Sequence, residues 1–161
     1  MEFKVDDWVV HCTHGLGQVK TIEQRSFGEQ SVLYYMIQIG DLTIWVPADE
    51  NINMRLRYPK SPDDFQKLFA MLNSTPEALP VDRRQRNQFL LDLLKDGSAE
   101  SLCRALRDMS AIRKQRTWGD YDRDLMKRIQ KTFISEWTFV LSINPHDAEA
   151  ELQKILAQNA Q

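Results

Sequence analysis

The chain has 161 residues, of which 42% are hydrophobic and 27% charged, a composition typical of a folded globular protein. No apolar run approaches the roughly 18 residues of a membrane-spanning helix, and the N-terminus lacks the pattern of a secretory signal. We therefore expect a cytoplasmic protein without membrane contact. Cys12 and Cys103 are too few and too far apart for a disulfide framework, which predicts two reduced thiols.

The net charge of −2 conceals an uneven distribution along the chain. Residues 1–58 carry 5 basic and 8 acidic side chains, residues 83–131 carry 13 and 7, and residues 132–161 carry 1 and 4. A basic middle between acidic ends is the pattern that a functional interpretation has to explain.

The first predicted structure is an antiparallel hairpin. Two β-branched runs, Trp8–Val10 and Gln18–Ile22, flank a turn rich in Gly and His. Gly15 and Gly17 are suited to backbone angles with positive φ, which other residues adopt only with strain.

A second hairpin is predicted around the tight turn Gly40-Asp41. Period-two alternation places one strand before it and one after it, with Pro47 ending the second. On the second strand the apolar alternation leaves Trp45 facing outward. With a last short strand near residues 53–57, residues 1–59 predict a small, Tudor-like antiparallel β-barrel of about five strands. Leu33, Tyr35, Ile37 and Ile39 are predicted to share one face of the first strand of this hairpin, and Leu42, Ile44 and Val46 to face inward from the second.

After residue 60 the apolar period becomes helical, and residues 60–161 predict a domain of five helices. Ser61-Pro62-Asp63-Asp64 is a strong helix start, with Ser as N-cap and acids in the first turn. Later helices are predicted to begin near Asp82, at Ser98, after Gly119 and at Asn144-Pro145. The fold class is therefore α+β. The predicted inward residues are Phe65, Leu68, Phe69, Leu72, Phe89, Leu90, Leu93, Leu94, Leu102, Leu106, Met109, Met126, Ile129, Phe133, Trp137, Val140, Leu152, Ile155 and Leu156.

The order of residues 5–23 resembles the start of the CarD/CdnL-type RNA-polymerase-binding domain, which also occurs in bacterial transcription-repair coupling factors. The residues that carry the resemblance are a leading Asp, Val9-Val10-His11, then His14-Gly-x-Gly17 and a strand ending Ile22-Glu23. A β module followed by five helices extends the resemblance over almost the whole chain. Its length leaves no room for the ATPase motor of a coupling factor.

No catalytic or cofactor-binding pattern stands out. There is no Walker-type loop, no Gly-x-Ser-x-Gly elbow and no helical His-Glu-x-x-His. His11, Cys12 and His14 are close enough to suggest a metal site, but in an extended hairpin their side chains would point to different faces. We expect these three residues to serve turn and core packing. We expect the protein not to be an enzyme and to have no cofactor, resident metal or small-molecule substrate.

The resemblance implies that the first domain docks on the β subunit of RNA polymerase by extending its sheet. Arg25 matches a polymerase-contacting Arg of the family, and Pro47 lies in a tract that resembles the family's Val-Pro segment. Relatives often carry Arg where this chain has Trp45. An outward Trp suits a protein interface, although Trp45 could equally pack against the helical half.

The resemblance also implies DNA contact by the helical domain. Arg83, Arg84 and Arg86 gather at a helix start, where the helix dipole would favour acids, and this favours phosphate binding. Relatives place a Trp that wedges into the minor groove at the position of Val81, and an aliphatic wedge offers less area and no stacking face. Arg123 and Lys127 form a further basic stripe, whereas helix capping alone could explain Arg113, Lys114 and Arg116.

Together these patterns predict a non-enzymatic transcription factor that holds the RNA polymerase β subunit and stabilises the open promoter complex through upstream DNA contacts. The alternative is an adaptor that binds polymerase or another protein and makes no direct contact with DNA.

Overall fold

The structure, a computed structural model, describes residues 2–112 and 118–159. Its N-terminal part is one antiparallel sheet with the strand order β4-β3-β2-β1-β5. The strands are β1 (Trp8–His11), β2 (Gly15–Phe27), β3 (Gln30–Ile39), β4 (Leu42–Pro47) and β5 (Leu56–Arg57).

The α+β class is confirmed, but the prediction of a barrel was wrong, because the sheet is open. Closing it would require β4 and β5, the two edge strands, to pair with each other. β5 has only two residues, because the short helix α1 (Ile52–Arg55) occupies most of the place where a fifth strand was predicted. The sheet therefore keeps two edges.

Both predicted hairpins are present. Tyr35, Ile37 and Val46 are buried and Ile39 and Ile44 partly so, whereas Leu33 and Leu42 lie beyond the core and are exposed. These side chains share a small core with residues of β1, β2, α1, β5 and the N-terminal segment. Its buried members are Phe3, Val9, Val19, Tyr35, Ile37, Val46, Ile52 and Leu56.

The two glycines of the first hairpin serve different purposes. Gly15 has a φ of 87°, in the left-handed region that favours glycine. Gly17 does not adopt a positive φ, so that prediction was wrong for it. A Cβ at residue 17 would lie 2.5 Å from Cγ1 of Ile39 and 2.8 Å from Cγ2 of Ile37, so glycine is needed there for close packing.

The described part of the chain contains six α-helices, one more than predicted, the additional one being α1. The others are α2 (Pro62–Leu72), α3 (Arg83–Leu93), α4 (Ala99–Ile112), α5 (Asp120–Leu141) and α6 (Pro145–Asn159), with a 3-10 turn over Leu94–Asp96. None of the described helices has the length and apolar character needed to cross a bilayer.

The predicted helix boundaries are confirmed by their caps. The Ser61 side chain accepts from the Asp64 backbone N–H while the Asp64 carboxylate accepts from Ser61, a capping box. Asp82 caps α3 by accepting from the Gln85 N–H at 3.0 Å. Gly97, with a φ of 68°, ends the turn after α3.

The inward helix residues form a second core, as predicted, with one exception. Phe89 is 38% exposed, because its neighbour Leu90 takes the core-facing position on α3. The core draws on every helix from α2 to α6. Its largest buried side chains include Phe65, Leu68, Leu72, Leu90, Leu106, Met109, Phe133 and Leu152.

A buried ion pair joins the sheet to the helical half. Arg57 of β5 and Glu136 of α5 make two hydrogen bonds, Nη1 to Oε2 at 2.8 Å and Nη2 to Oε1 at 2.6 Å. Glu136 is fully buried and also accepts from the Lys60 backbone N–H at 2.8 Å. Arg57 Nε donates to the Gly97 carbonyl at 2.9 Å. The pair thus ties together β5, the chain after it, the turn before α4, and α5.

Two further contacts lie near the junction. The rings of Trp8 on β1 and Phe139 on α5 are 5.0 Å apart between centroids. The Leu16 backbone N–H donates to Ser135 Oγ at 3.3 Å. A Cβ at Gly15 would come within 2.8 Å of the same oxygen, so the glycine turn also permits close docking of α5.

We predict that Glu136→Ala lowers the free energy of unfolding by about 3–5 kcal/mol, because it leaves the Arg57 guanidinium without its buried counter-charge. The double variant Arg57→Met/Glu136→Leu should recover most of the loss, because it removes both charges. Urea denaturation measures both. Glu23→Ala, which breaks an exposed contact with Arg25, is the matched control and should change stability by about 0.5 kcal/mol or less. A loss for Glu136→Ala no larger than the control's would contradict the assignment.

Candidate functional site

The sheet presents a partly exposed aromatic surface, which we call the sheet surface and define by Arg25, Tyr34, Trp45 and Pro47. Arg25 comes from β2, Tyr34 from the neighbouring β3, and Trp45 and Pro47 from the edge strand β4. Tyr34 pairs with Pro47 in the β3–β4 register. These residues lie on the face opposite to that of Tyr35, Ile37 and Val46, which is buried in the core.

Arg25 organises this surface. Its Cζ lies 4.4 Å from the centroid of the Trp45 ring and 5.3 Å from that of Tyr34, both within the range of a cation–π interaction. Glu23 Oε2 lies 3.6 Å from Arg25 Nη2. Trp45 is 37% exposed. Arginine therefore holds the indole against the sheet while much of the ring stays open to a partner.

The position of Trp45 bears on the two alternatives left open by the sequence. The Trp that contacts the helical half is Trp8, through Phe139. Trp45 instead lies on the edge strand, and its ring partner there is Arg25. β4 pairs with β3 alone in the described sheet, so its other edge is unpaired beside this ring.

His11, one of the residues considered as metal ligands, has a structural role in the turn between β1 and β2. His11 Nδ1 accepts from the backbone N–H groups of Thr13 and His14 at 3.1 and 3.2 Å. Burial, with the nearby charges of His14 and Arg55, lowers the pKa of His11 to about 4. A neutral imidazole is what an acceptor nitrogen requires. Across residues 2–112 and 118–159 no three His, Cys, Asp or Glu side chains are grouped to hold a metal ion.

The second candidate surface lies at the start of α3. Arg83 and Arg84 are both exposed there, as is Val81, at 73%. Arg83 lies against the start of α5, where a Cβ added at Gly119 would be 3.3 Å from Arg83 Nη2. Together with Tyr121 of α5 these arginines line a cleft of about 580 Å³ between the two helices, which we call the α3–α5 cleft.

Arg86 is separated from the other two arginines. It is only 7% exposed, with Nη2 at 3.7 Å from Asp122 Oδ2 and Nη1 donating to the Val81 carbonyl at 3.2 Å. Asp122 is itself buried. Arg86 thus faces α5, and the surface that could meet a ligand is formed by Arg83 and Arg84.

Arg123 and Lys127 line a different hollow, together with Trp118 and Gln130. Arg123 already pairs with Asp120 and donates to the Trp118 carbonyl at 2.7 Å, which reduces its positive field. Lys127 is exposed. The further basic group predicted from the sequence, Arg113, Lys114 and Arg116, lies outside the described residues.

Several residues of the α3–α5 cleft are not singled out by the sequence patterns, among them Asn87, Tyr121 and Leu91. Tyr121 and Leu91 are 44% and 58% exposed and lie on either side of it. In the sequence Tyr121 is one residue among the acids of a helix start, and Leu91 adjoins an apolar stripe. Their proximity depends on how α3 packs against α5, which no periodicity within one helix reveals.

Comparisons with known proteins cover both halves. Residues 3–58 match the family described as "CarD-like/TRCF RID domain", and residues 67–153 match "CarD, C-terminal domain". The protein of Bacillus subtilis (strain 168) named "Putative transcription factor YdeB" is 20% identical over 143 residues, which is 88% of this chain and 94% of that protein.

We predict that Arg86→Ala lowers the free energy of unfolding by about 3 kcal/mol or more, because it leaves Asp122 buried without its counter-charge. Arg83→Ala and Arg84→Ala are matched controls on the same helix. Each should change stability by about 0.5 kcal/mol or less, as expected for exposed side chains. Thermal and urea denaturation separate the two classes. Equal effects of all three substitutions would contradict the distinction between a buried Arg86 and an exposed Arg83 and Arg84.

Proposed function

The chain belongs to the CarD family of transcription regulators, and from this membership we propose that it binds the β subunit of RNA polymerase and stabilises the open promoter complex. The sheet surface would meet the polymerase, and Arg83 and Arg84 would meet phosphates of the upstream DNA. The protein would act by binding alone, without catalysis.

The observation that carries this proposal is the Arg25–Trp45 stack beside an unpaired sheet edge. A partner strand that pairs with β4 would bring its side chains over the indole, so strand addition and aromatic anchoring could operate together. Because cation–π contact holds the ring before binding, little side-chain entropy remains to be lost on association.

DNA contact is supported by the positions of Arg83 and Arg84. Both side chains are exposed, and α5 begins beside them, with Gly119 close to Arg83. Guanidinium groups bind phosphate oxygens strongly and in bidentate geometry. Val81, at the place of the family's wedge, is exposed and apolar, so it can contact a base step but cannot stack on one.

A second candidate function, an adaptor that uses its helical half to bind protein, is favoured by a specific observation. Phe89 and Leu91 are 38% and 58% exposed on α3. Exposed apolar side chains of this size beside arginines also occur at protein interfaces. The dependence of DNA binding on salt distinguishes the two functions.

For the polymerase surface, we predict that Trp45→Ala weakens binding to bacterial core polymerase by about 2 kcal/mol or more, the range of an interface hot spot. The free energy of unfolding should fall by about 1 kcal/mol or less, because the ring makes an exposed cation–π contact. Calorimetric titration measures the first and thermal denaturation the second. Trp8→Ala, which removes a Trp of similar exposure from the junction, should reverse the pattern. Lost stability with unchanged polymerase affinity for Trp45→Ala would reject the proposed anchor.

For the DNA surface, each neutralised phosphate contributes about −0.9 to the slope of log K against log salt concentration. Arg83→Ala/Arg84→Ala should therefore flatten the slope for duplex promoter DNA by about two units. Fluorescence anisotropy over a salt series measures it. Lys67→Ala/Lys154→Ala removes the same charge from α2 and α6 and should leave the slope unchanged. An unchanged slope in the arginine variant would put the adaptor function first.

A further inference from the structure

The α3–α5 cleft places beside Arg83 and Arg84 further groups that duplex phosphate binding does not use. Arg83 and Arg84 lie on one side, and Tyr121 stands on the first turn of α5 with 44% of its surface exposed. Leu91 adds an apolar wall. An exposed aromatic ring beside two cations is the combination that binds a nucleobase together with its phosphate, since any base can stack on the ring.

One side chain that lines the cleft has a buried polar atom without a partner. Asn87 of α3 lines the cleft, and its Oδ1 is buried without a hydrogen-bond partner among the described residues. Buried carboxamide oxygens are normally satisfied, because an unmade hydrogen bond is costly. Rotation of the amide about χ2 would present Oδ1 to a donor placed in the cleft. A hydrogen-bond donor in the cleft, such as the exocyclic amine of a base, could then reach this acceptor.

One acidic residue, Asp82, also lines the cleft. Its carboxylate accepts from the Gln85 backbone N–H as the cap of α3. Arg83 and Arg84 have no ion pair within 4.0 Å among the described contacts, whereas Arg86 is occupied by Asp122. Neither guanidinium is therefore committed to a carboxylate, and both are available to a phosphate.

We propose that the α3–α5 cleft binds one unpaired base with an exocyclic amine, such as cytosine, from single-stranded DNA. Tyr121 stacks on the base, the Asn87 amide accepts from its amine, and Arg83 and Arg84 hold the adjoining phosphate. This inference rests on the proposed DNA-binding function and deepens it: the cleft would capture a base released where promoter DNA melts, supplying the aromatic face that Val81 lacks.

The test uses the full chain with fluorescently labelled short oligocytidine, short oligothymidine and duplex promoter DNA, followed by anisotropy. Tyr121→Leu should lower the affinity for oligocytidine about tenfold, the effect of losing one stacked base, and leave duplex affinity unchanged. Tyr121→Phe keeps the ring and should restore binding to within about twofold. Circular dichroism establishes that each variant is folded.

The comparison of oligocytidine with oligothymidine tests the role of the Asn87 amide. Cytosine carries an amine where thymine carries an oxygen, so oligocytidine should bind about fivefold more tightly, the effect of one hydrogen bond. Asn87→Leu should abolish this preference. A preference that persists in Asn87→Leu would overturn the role of the amide.

The outcomes separate this inference from the proposed function. If Tyr121→Leu leaves oligocytidine affinity unchanged while Arg83→Ala/Arg84→Ala still flattens the duplex salt slope, base capture is overturned and DNA binding stands. If the arginine variant changes neither single-strand nor duplex binding, both fail. Displacement of oligocytidine by micromolar deoxycytidine monophosphate would overturn the assignment to a DNA strand in favour of a free nucleotide. Displacement only at millimolar concentration supports the strand.

Discussion

The buried pair of Arg57 and Glu136 is the interaction on which the rest of the arrangement depends. A fully buried carboxylate is tolerable only when charge and hydrogen bonds replace its lost hydration. Here the guanidinium supplies two bonds and the Lys60 N–H a third. Because Arg57 lies on the two-residue edge strand β5 and Glu136 in the C-terminal half of α5, satisfying the pair fixes how the sheet meets the helices. Truncating either partner would leave the other charge buried.

The two candidate surfaces are separate from each other and from the Arg57–Glu136 pair at this junction. The sheet surface is built across β2, β3 and β4, on the side of the sheet away from β5. The α3–α5 cleft is at the N-terminal end of α5, whereas Ser135, Glu136 and Phe139, which meet the sheet or its edge, lie near the other end of the helix. One long helix thus connects the sheet with the cleft and fixes the spacing between the two surfaces proposed to bind polymerase and DNA.

The arginines have different roles because their environments differ. Arg86 is buried and Arg57 partly buried against carboxylates, and both hold packed helices or strands together. Arg25 lies over aromatic rings and orders a surface. Arg83 and Arg84 remain exposed beside a cleft. The burial of each guanidinium, more than its sequence neighbours, decides whether its loss affects stability or binding.

The sequence by itself determined the α+β class, both hairpins and the ends of the helices, because these depend on local alternation, turn residues and caps such as Ser61, Asp82 and Gly97. It also pointed to the outward Trp45, since strand alternation alone fixes which face a side chain takes. Tertiary structure decided what depends on contacts between distant segments. The sheet stays open because α1 replaces most of the last strand, Arg86 is buried because Asp122 of α5 lies against it, and Tyr121 joins Asn87 in a cleft. Sequence spacing does not reveal which distant segments come into contact. These contacts are set by how the helices pack and by the buried charge that joins the helices to the sheet.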